Sequence, residues 1–338
     1  MTAPAAPSRD SHAAPRRRLR RRIVEELTAF AAIGGMKLLL YLPERVVWPL
    51  AGLAGRMSYR ASRGRRDHAR RNLRRVVTWM AANGRGEERY RRAAADPAAL
   101  EQLVKDAFRH HAYYSVELAR APACDVAWIS QRLIVETPET VAEFLGKRHA
   151  VILIGMHFGT IEMPGMLAVQ GVGPLVTPME FVANPRIQRY IYSTRAAVGT
   201  TIVSLADAPR ELIAALRRNE PVGLVADRDI TGGGIEVEMF GATTKIPAGP
   251  ALMAVESGAP VCIGAVRRTA PGRYRGKLLP LPASEGASRK ERSRTMLRDE
   301  ARHFEDFIVD APEQWLALFH PIWPDLEKPE MRVNGGPA

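Results

Sequence analysis

The spacing of apolar and polar positions changes near residue 130. Over residues 20–120 apolar side chains recur at helical spacing. The clearest stretch is "AALEQLVKDAFRHHAYYSVELARAP", which Pro122 brings to an end. From about 133, short β-branched runs alternate with helical segments. Strands are expected at 132–136, 150–155, 174–179, 200–205, 221–227, 236–240, 260–268 and 273–280, with helices at 138–147, 160–170, 185–198, 207–219, 249–258 and 287–310. Strands separated by helices of ten or more residues predict an α/β fold, with a mostly parallel central sheet covered by helices on both faces. The expected organisation is a disordered basic tail (1–22), a helical membrane-associating region (23–130), the α/β core (131–325) and a closing tail (326–338).

Charge sharpens the reading of the helical third. Residues 1–110 hold 24 Lys and Arg against 10 Asp and Glu, whereas the remaining residues hold 25 against 26. Two arginine clusters, "PRRRLRRR" at 15–22 and "YRASRGRRDHARRNLRR" at 59–75, supply most of the excess. Such a surface attracts polyanions, either nucleic acid or an anionic membrane leaflet. Between the clusters, residues 27–59 are rich in Leu, Ala, Trp and Tyr, but Lys37 and the Pro43–Arg45 run interrupt them before they reach the roughly 20 apolar residues that a spanning helix needs. They read as helices lying in the interface of an anionic membrane; a buried helical hairpin with a solvated basic flank is the alternative. The aromatics fall in apolar stretches rather than among the arginines, which argues against nucleic acid. Two cysteines, Cys124 and Cys262, build no disulfide framework and suggest a reducing compartment.

In open parallel sheets, ligands bind beyond the carboxyl ends of the strands. His157 follows the apolar run "VILIG", and Glu162 lies five positions on, in the first turn of the next helix if Thr160 caps it. A carboxylate on one imidazole nitrogen fixes the tautomer and leaves the other nitrogen as a general base. Asp227, Arg228 and Asp229 end a second hydrophobic strand, ahead of the glycine run Gly232–Gly234. Glu180 sits in the loop after a third, and Asn184-Pro185 then opens a helix carrying Arg186, Arg189 and Arg195, suited to an anionic substrate. Each pattern alone also fits ordinary caps, turns and solvated faces. No G-x-S-x-G elbow, no G-x-G-x-x-G after a strand and no H-E-x-x-H or C-x-x-C spacing occurs, so serine-hydrolase, dinucleotide and zinc-site readings are disfavoured.

Taken in order, "HFGTIE", "NPRIQRYIYSTRAAVG", "ADRDITGGGIEVEMFGATTKIPAGPALMAVESGAP" and "WLALFHPIW" resemble the bacterial lipid A biosynthesis acyltransferase family, the H-x4-[DE] enzymes, over residues from about 25 to 325. The later segments are similar to the phosphatidylinositol mannoside acyltransferase branch. The resemblance implies a membrane-associated O-acyltransferase on the cytoplasmic face of the inner membrane. It would move a fatty acyl chain from acyl-CoA or acyl carrier protein, as co-substrate and without a further cofactor or metal, to a glycolipid hydroxyl. It assigns His157 as general base, with Glu162 and Asp227 as the acids of the site and candidates for the imidazole partner. It places Arg195 near the site; Glu180 and Arg228 are expected to bind substrate. "ADRD" stands where the mannoside branch reads "AERD", one methylene shorter, which leaves Asp227 and Glu162 both open as imidazole partner; "HFGTIE" carries the Phe and Glu of the lipid A branch, which bears on the acceptor. A lipid A-type or other lysophospholipid acyltransferase, a basic peripheral lipid-binding protein and a lipid-binding pseudoenzyme are the alternatives.

Overall fold

A computed structural model describes residues 26–327, apart from 27, 28, 31, 32, 181, 183, 283–285 and 287. The basic tail 1–22 and the chain beyond 327 lie outside the described residues.

The first third is helical: α1 (33–41), α2 (Glu44–Ala61), α3 (Arg63–Ala82), α4 (Glu88–Arg92), α5 (Pro97–Arg120) and α6 (Val126–Ser130). Helix α5 starts where its sequence dictates. The Asp96 carboxylate accepts from the N–H groups of Ala98 and Ala99, and Pro97 takes the first helical position, where no N–H is missed. Helix α2 lies close against α5 because Gly55 lets the backbones meet: a Cβ there would stand 2.8 Å from the Arg109 Cα.

The α/β part follows as β1 (Leu133–Val135), α7 (Pro138–Leu145), β2 (Ile152–Gly155), α8 (Glu162–Val172), β3 (Leu175–Met179), α9 (Pro185–Ala197), β4 (Thr200–Ser204), α10 (Ala208–Arg217), β5 (Val222–Val225), β6 (Ile235–Met239), β7 (Ala242–Ile246), α11 (Gly249–Ser257), β8 (Val261–Ala270), β9 (Arg273–Pro280) and α12 (Arg289–Asp310). Seven strands form one sheet in the order β1-β9-β8-β2-β5-β3-β4, parallel throughout except for the β8–β9 hairpin. Helices cover both faces, as the alternating pattern predicts. On one face Leu153 packs with Phe144, Leu145 and Ala168 of α7 and α8. On the other, Ile152 and Ile154 join Leu212 of α10, Met253 of α11 and Phe304 of α12.

The strand expected at 236–240 is present but belongs elsewhere. It is β6, paired antiparallel with β7 in a separate two-stranded sheet; β7 lies within the "GATTKIPAGP" stretch, where only a helix start is expected. The helical region is not a separate body. Leu73, Val76, Val104 and Phe108 of α3 and α5 are buried in the same cluster as Ile152, Val222 and the closing Trp315 and Trp323. Among the described residues no helix is long and apolar enough to cross a membrane.

The connection that matters for the site is the return of the chain to the middle of the sheet. After β2 it runs out through β3 and β4, then α10 brings it back so that β5 inserts between β2 and β3. Here the helices change faces, and a crevice opens beyond the strand ends.

Candidate active site

Gly155 of β2 pairs with Val225 of β5. Two residues beyond each, His157 and Asp227 therefore stand side by side. The His157 Nδ1 lies 2.6 Å from the Asp227 Oδ1. The other carboxylate oxygen, Oδ2, accepts from the Trp315 indole N–H at 2.7 Å. The Asp227 side chain is fully buried, whereas that of His157 is 28% exposed and lines a groove of about 860 Å³. Burial pushes the Asp227 carboxyl up, but the imidazole and the indole hydrogen bond outweigh it and hold the group below its ordinary value. A buried carboxylate on Nδ1 leaves Nε2 as the ring nitrogen for a substrate in the groove.

Of the two acids on either side of the histidine, only Asp227 reaches the ring. Glu162 is the first residue of α8 and accepts from the Arg195 Nη2 at 3.0 Å. Burial lowers the Arg195 guanidinium, but Glu162 and the Tyr114 hydroxyl on it reverse the shift and keep it charged. Thr160 is buried but does not cap α8; Ile161 holds the cap position, with no side-chain hydrogen bond. Arg228 reaches across to Glu180, 2.7 Å from Nη2 to Oε1, on the same groove. Asp229 is structural. It accepts from the N–H groups of Thr231, Gly232 and Gly234 and wraps the glycine run around itself. Arg186 faces outward, paired with Glu26, and Arg189 is exposed.

The turn between His157 and α8 is held on every side. Gly159 has φ +55°, and a Cβ on it would fall 2.0 Å from the Val266 carbonyl oxygen, so no other residue fits. Its N–H donates to the Gln314 carbonyl, the Thr160 N–H to the Val266 carbonyl, and the Leu316 N–H to the His157 carbonyl at 2.6 Å. The Gln314 side chain closes on Arg268, accepting from its N–H and donating to its carbonyl. The buried Arg268 guanidinium pairs with Glu117 of α5 and donates to the Gly159 carbonyl at 3.3 Å. Gln314, Arg268 and Glu117 are not singled out by motif, and Trp315 opens the "WLALFHPIW" segment with no sign of its partner. The available signal was chemical, since a buried indole N–H needs an acceptor.

A second space lies between the sheet and helices α7, α8 and α9. This apolar cavity of about 160 Å³ reaches from Leu133 and Val135 of β1 to Thr200 of β4. It meets the groove at Ile161, Pro178, Arg195 and Val225. Among the described residues no group of three or more His, Cys, Asp or Glu side chains could hold a metal ion.

The sequence model of the bacterial lipid A biosynthesis acyltransferase family matches residues 14–324. The chain belongs to this family. It is an acyltransferase of lipid biosynthesis, as the ordered motifs implied. A phosphatidylinositol mannoside acyltransferase of Mycolicibacterium smegmatis is 29% identical over 239 residues, covering 69% of this chain and 73% of its own. Two proteins of the same name from Mycobacterium tuberculosis, strains CDC 1551 and H37Rv, are 27% and 28% identical, each covering 70% of this chain and 72% of its own length. In this member of the family, then, the histidine held by a buried aspartate lines a wide groove that shares Ile161, Pro178, Arg195 and Val225 with an apolar cavity.

Proposed function

We propose that the protein transfers a fatty acyl chain from a thioester donor, acyl-CoA or acyl carrier protein, to a hydroxyl of a glycolipid of the phosphatidylinositol mannoside type, with His157 as general base. The observation that carries this reading is the 2.6 Å contact of the His157 Nδ1 with the buried Asp227, in a groove that shares Ile161, Pro178 and Arg195 with an apolar cavity. The carboxylate holds the proton on Nδ1, so Nε2 takes the proton of the acceptor hydroxyl as its oxygen attacks the thioester carbonyl. Collapse of the tetrahedral intermediate expels the thiolate, which recovers a proton from the imidazolium. No covalent enzyme intermediate is required. The start of α8 lacks a side-chain cap, and in this reading the N–H groups of Glu162 and Met163 receive the developing oxyanion. Arg195 neutralises Glu162 there, so that no free carboxylate opposes that charge. The apolar cavity takes the acyl chain, and the larger groove takes the acceptor head group, with Arg228 and Glu180 on its wall.

The helical third supplies the membrane contact in this reading. On α2, Val46, Leu50, Leu53 and Met57 form one stripe at spacings of four, three and four residues, all exposed, while Val47, Trp48, Ala51 and Gly55 form the buried stripe. Phe30 and Tyr41 are also exposed, at 70% and 84%, and Arg45, Arg56 and Arg60 flank the stripe. An apolar stripe bordered by cations suits peripheral binding to an anionic leaflet.

The test incubates purified enzyme with radiolabelled palmitoyl-CoA or palmitoyl carrier protein and either phosphatidylinositol mannoside or a lipid A precursor. Labelled mannoside with wild type and none with His157→Ala supports the reading. Transfer only to the lipid A precursor replaces the acceptor, and a folded, fully active His157→Ala variant sinks the mechanism.

A further inference from the structure

We propose that Gly155, at the carboxyl end of β2, keeps the bore of the apolar cavity open and so sets the length of acyl chain that the enzyme takes. This rests on reading the cavity as the acyl site. A glycine inside a strand weakens it, so its presence asks for a reason. The other glycines on this face of the sheet have local ones. A Cβ at Gly223 would lie 2.9 Å from Leu175, one at Gly264 would lie 2.9 Å from both Leu278 and the Lys277 carbonyl, and one at Gly276 would lie 3.0 Å from Val266. Gly155 has no such neighbour. Its backbone is not left-handed, and the nearest heavy atoms to its Cβ position are carbonyl oxygens at 3.9 and 4.0 Å, ordinary contact distances. A larger side chain would meet little protein; it would enter the cavity that Gly155 lines. The roof is thinned as well: Gly165 of α8 lines the same cavity, and a Cβ there would come no closer than 4.0 Å to Leu175.

Its place along the cavity gives Gly155 its leverage. The groove holding His157 joins the cavity at Ile161, Arg195 and Val225, on the β5 side. From β5 the cavity passes over β2, β8 and β9 to β1, four strand spacings of about 4.8 Å, or roughly 19 Å. That is the scale of a long acyl chain. Gly155 stands at the first crossing. A branched side chain there leaves room for the thioester carbonyl and the first carbons, and closes the way to the three strands beyond.

The experiment measures kcat/KM for wild type, Gly155→Ala and Gly155→Val with a saturated series from butyryl to stearoyl, as CoA and as carrier-protein thioesters, with phosphatidylinositol mannoside as acceptor. Expected for Gly155→Val is short-chain activity within about twofold of wild type and a loss of at least about tenfold on palmitoyl, since a pocket discriminates single methylenes by factors of this order. Gly155→Ala should fall between. If the valine variant fails to fold, the alanine variant is judged by the same shift toward shorter chains. An equal loss at all lengths, or an unchanged preference, overturns the gate while leaving the acyl reading intact. Wild type that turns over neither donor series at any length, with either phosphatidylinositol mannoside or a lipid A precursor as acceptor, overturns the acyl reading and the gate together.

Discussion

Asp227→Asn is the sharpest perturbation of the dyad, because the structure fixes which way the new amide must turn. In the native site one carboxylate oxygen meets Nδ1 of His157 and the other accepts from the Trp315 indole N–H, which has no lone pair to offer. In the variant the amide oxygen must stay on the indole, since the opposite choice sets two buried donors against each other. The amide NH₂ then faces Nδ1, which has to become an acceptor. The ring proton moves to Nε2, the atom that should receive the substrate proton. The lost charge can be sized separately. A carboxylate about 4 Å from an imidazolium contributes about 4 kcal/mol at an effective dielectric of 20, or roughly 10³ in rate. Tautomer reversal in a Ser-His-Asp triad costs about 10⁴. We therefore expect kcat for acyl transfer to fall about 10³–10⁴-fold with KM little changed, measured by release of free CoA, in a variant that melts close to wild type. Adding Trp315→Phe frees the amide to turn, so the loss in the double variant should be smaller than the product of the single losses. A folded Asp227→Asn enzyme within tenfold of wild type would refute this assignment of the imidazole partner.

Further outcomes follow from the buried groups around the dyad. Gly159→Ala forces a Cβ against the Val266 carbonyl at a positive φ, and urea unfolding should show a loss of roughly 2–4 kcal/mol with activity falling alongside. Arg268→Met strands Glu117 in the interior and should cost about 3–5 kcal/mol, much of which Glu117→Leu in the same chain restores. Glu300 is fully buried on α12 with no hydrogen bond to either carboxylate oxygen, and burial, reinforced by Asp227, holds its carboxyl well above its ordinary 4.5. Stability should therefore fall as pH rises above 4.5, so Glu300→Gln should be more stable than wild type at pH 7 by ~1–3 kcal/mol, with the gain vanishing below pH 4.5. Asp227 works with the opposite sign: its depressed carboxyl stabilises the fold above its ordinary 3.8 and loses that effect as pH falls below it, so acid unfolding of Asp227→Asn should lack this component.

The fold was legible wherever local rhythm and tertiary burial agreed. The central strands β2, β5 and β8 are largely buried and read as short apolar runs, and Asn184-Pro185 and Asp96-Pro97 mark helix starts by their own capping chemistry. What the rhythm did not carry was pairing. "EVEMF" looks like any other strand, but its charged alternate residues suit a two-stranded ribbon with one solvated face, and its partner β7 is hidden beside a Pro-Ala-Gly-Pro helix start. The site divides in the same way. His157 and Asp227 could be found because both end apolar strands, but their contact depends on β5 inserting beside β2, a crossover invisible to spacing. Glu162, nearer in sequence, was the more local candidate for the ring. It lost to Arg195, which arrives from α9 and holds the carboxylate at the start of α8.

The part least legible in the sequence is the frame around the histidine. No residue of that frame is adjacent to it in the chain. The peptide groups of residues 157–160 are held by Val266, Gln314 and Leu316, and the Gly159 carbonyl is held again by Arg268, whose charge is answered by Glu117 of α5. Such groups look like ordinary core polarity in a sequence, because their only requirement is a partner more than a hundred residues away. The consequence is that the helical third is part of the frame that holds His157. A displacement of α5 would move Glu117, unbalance a guanidinium buried at the hairpin of β8 and β9, and release the one turn that fixes where the imidazole points. The exposed stripe of α2 packs its opposite face on that same α5. The exposed apolar stripe of α2 and the turn that carries His157 are therefore joined by two helices and one buried ion pair, a short enough path for the position of one to constrain the other.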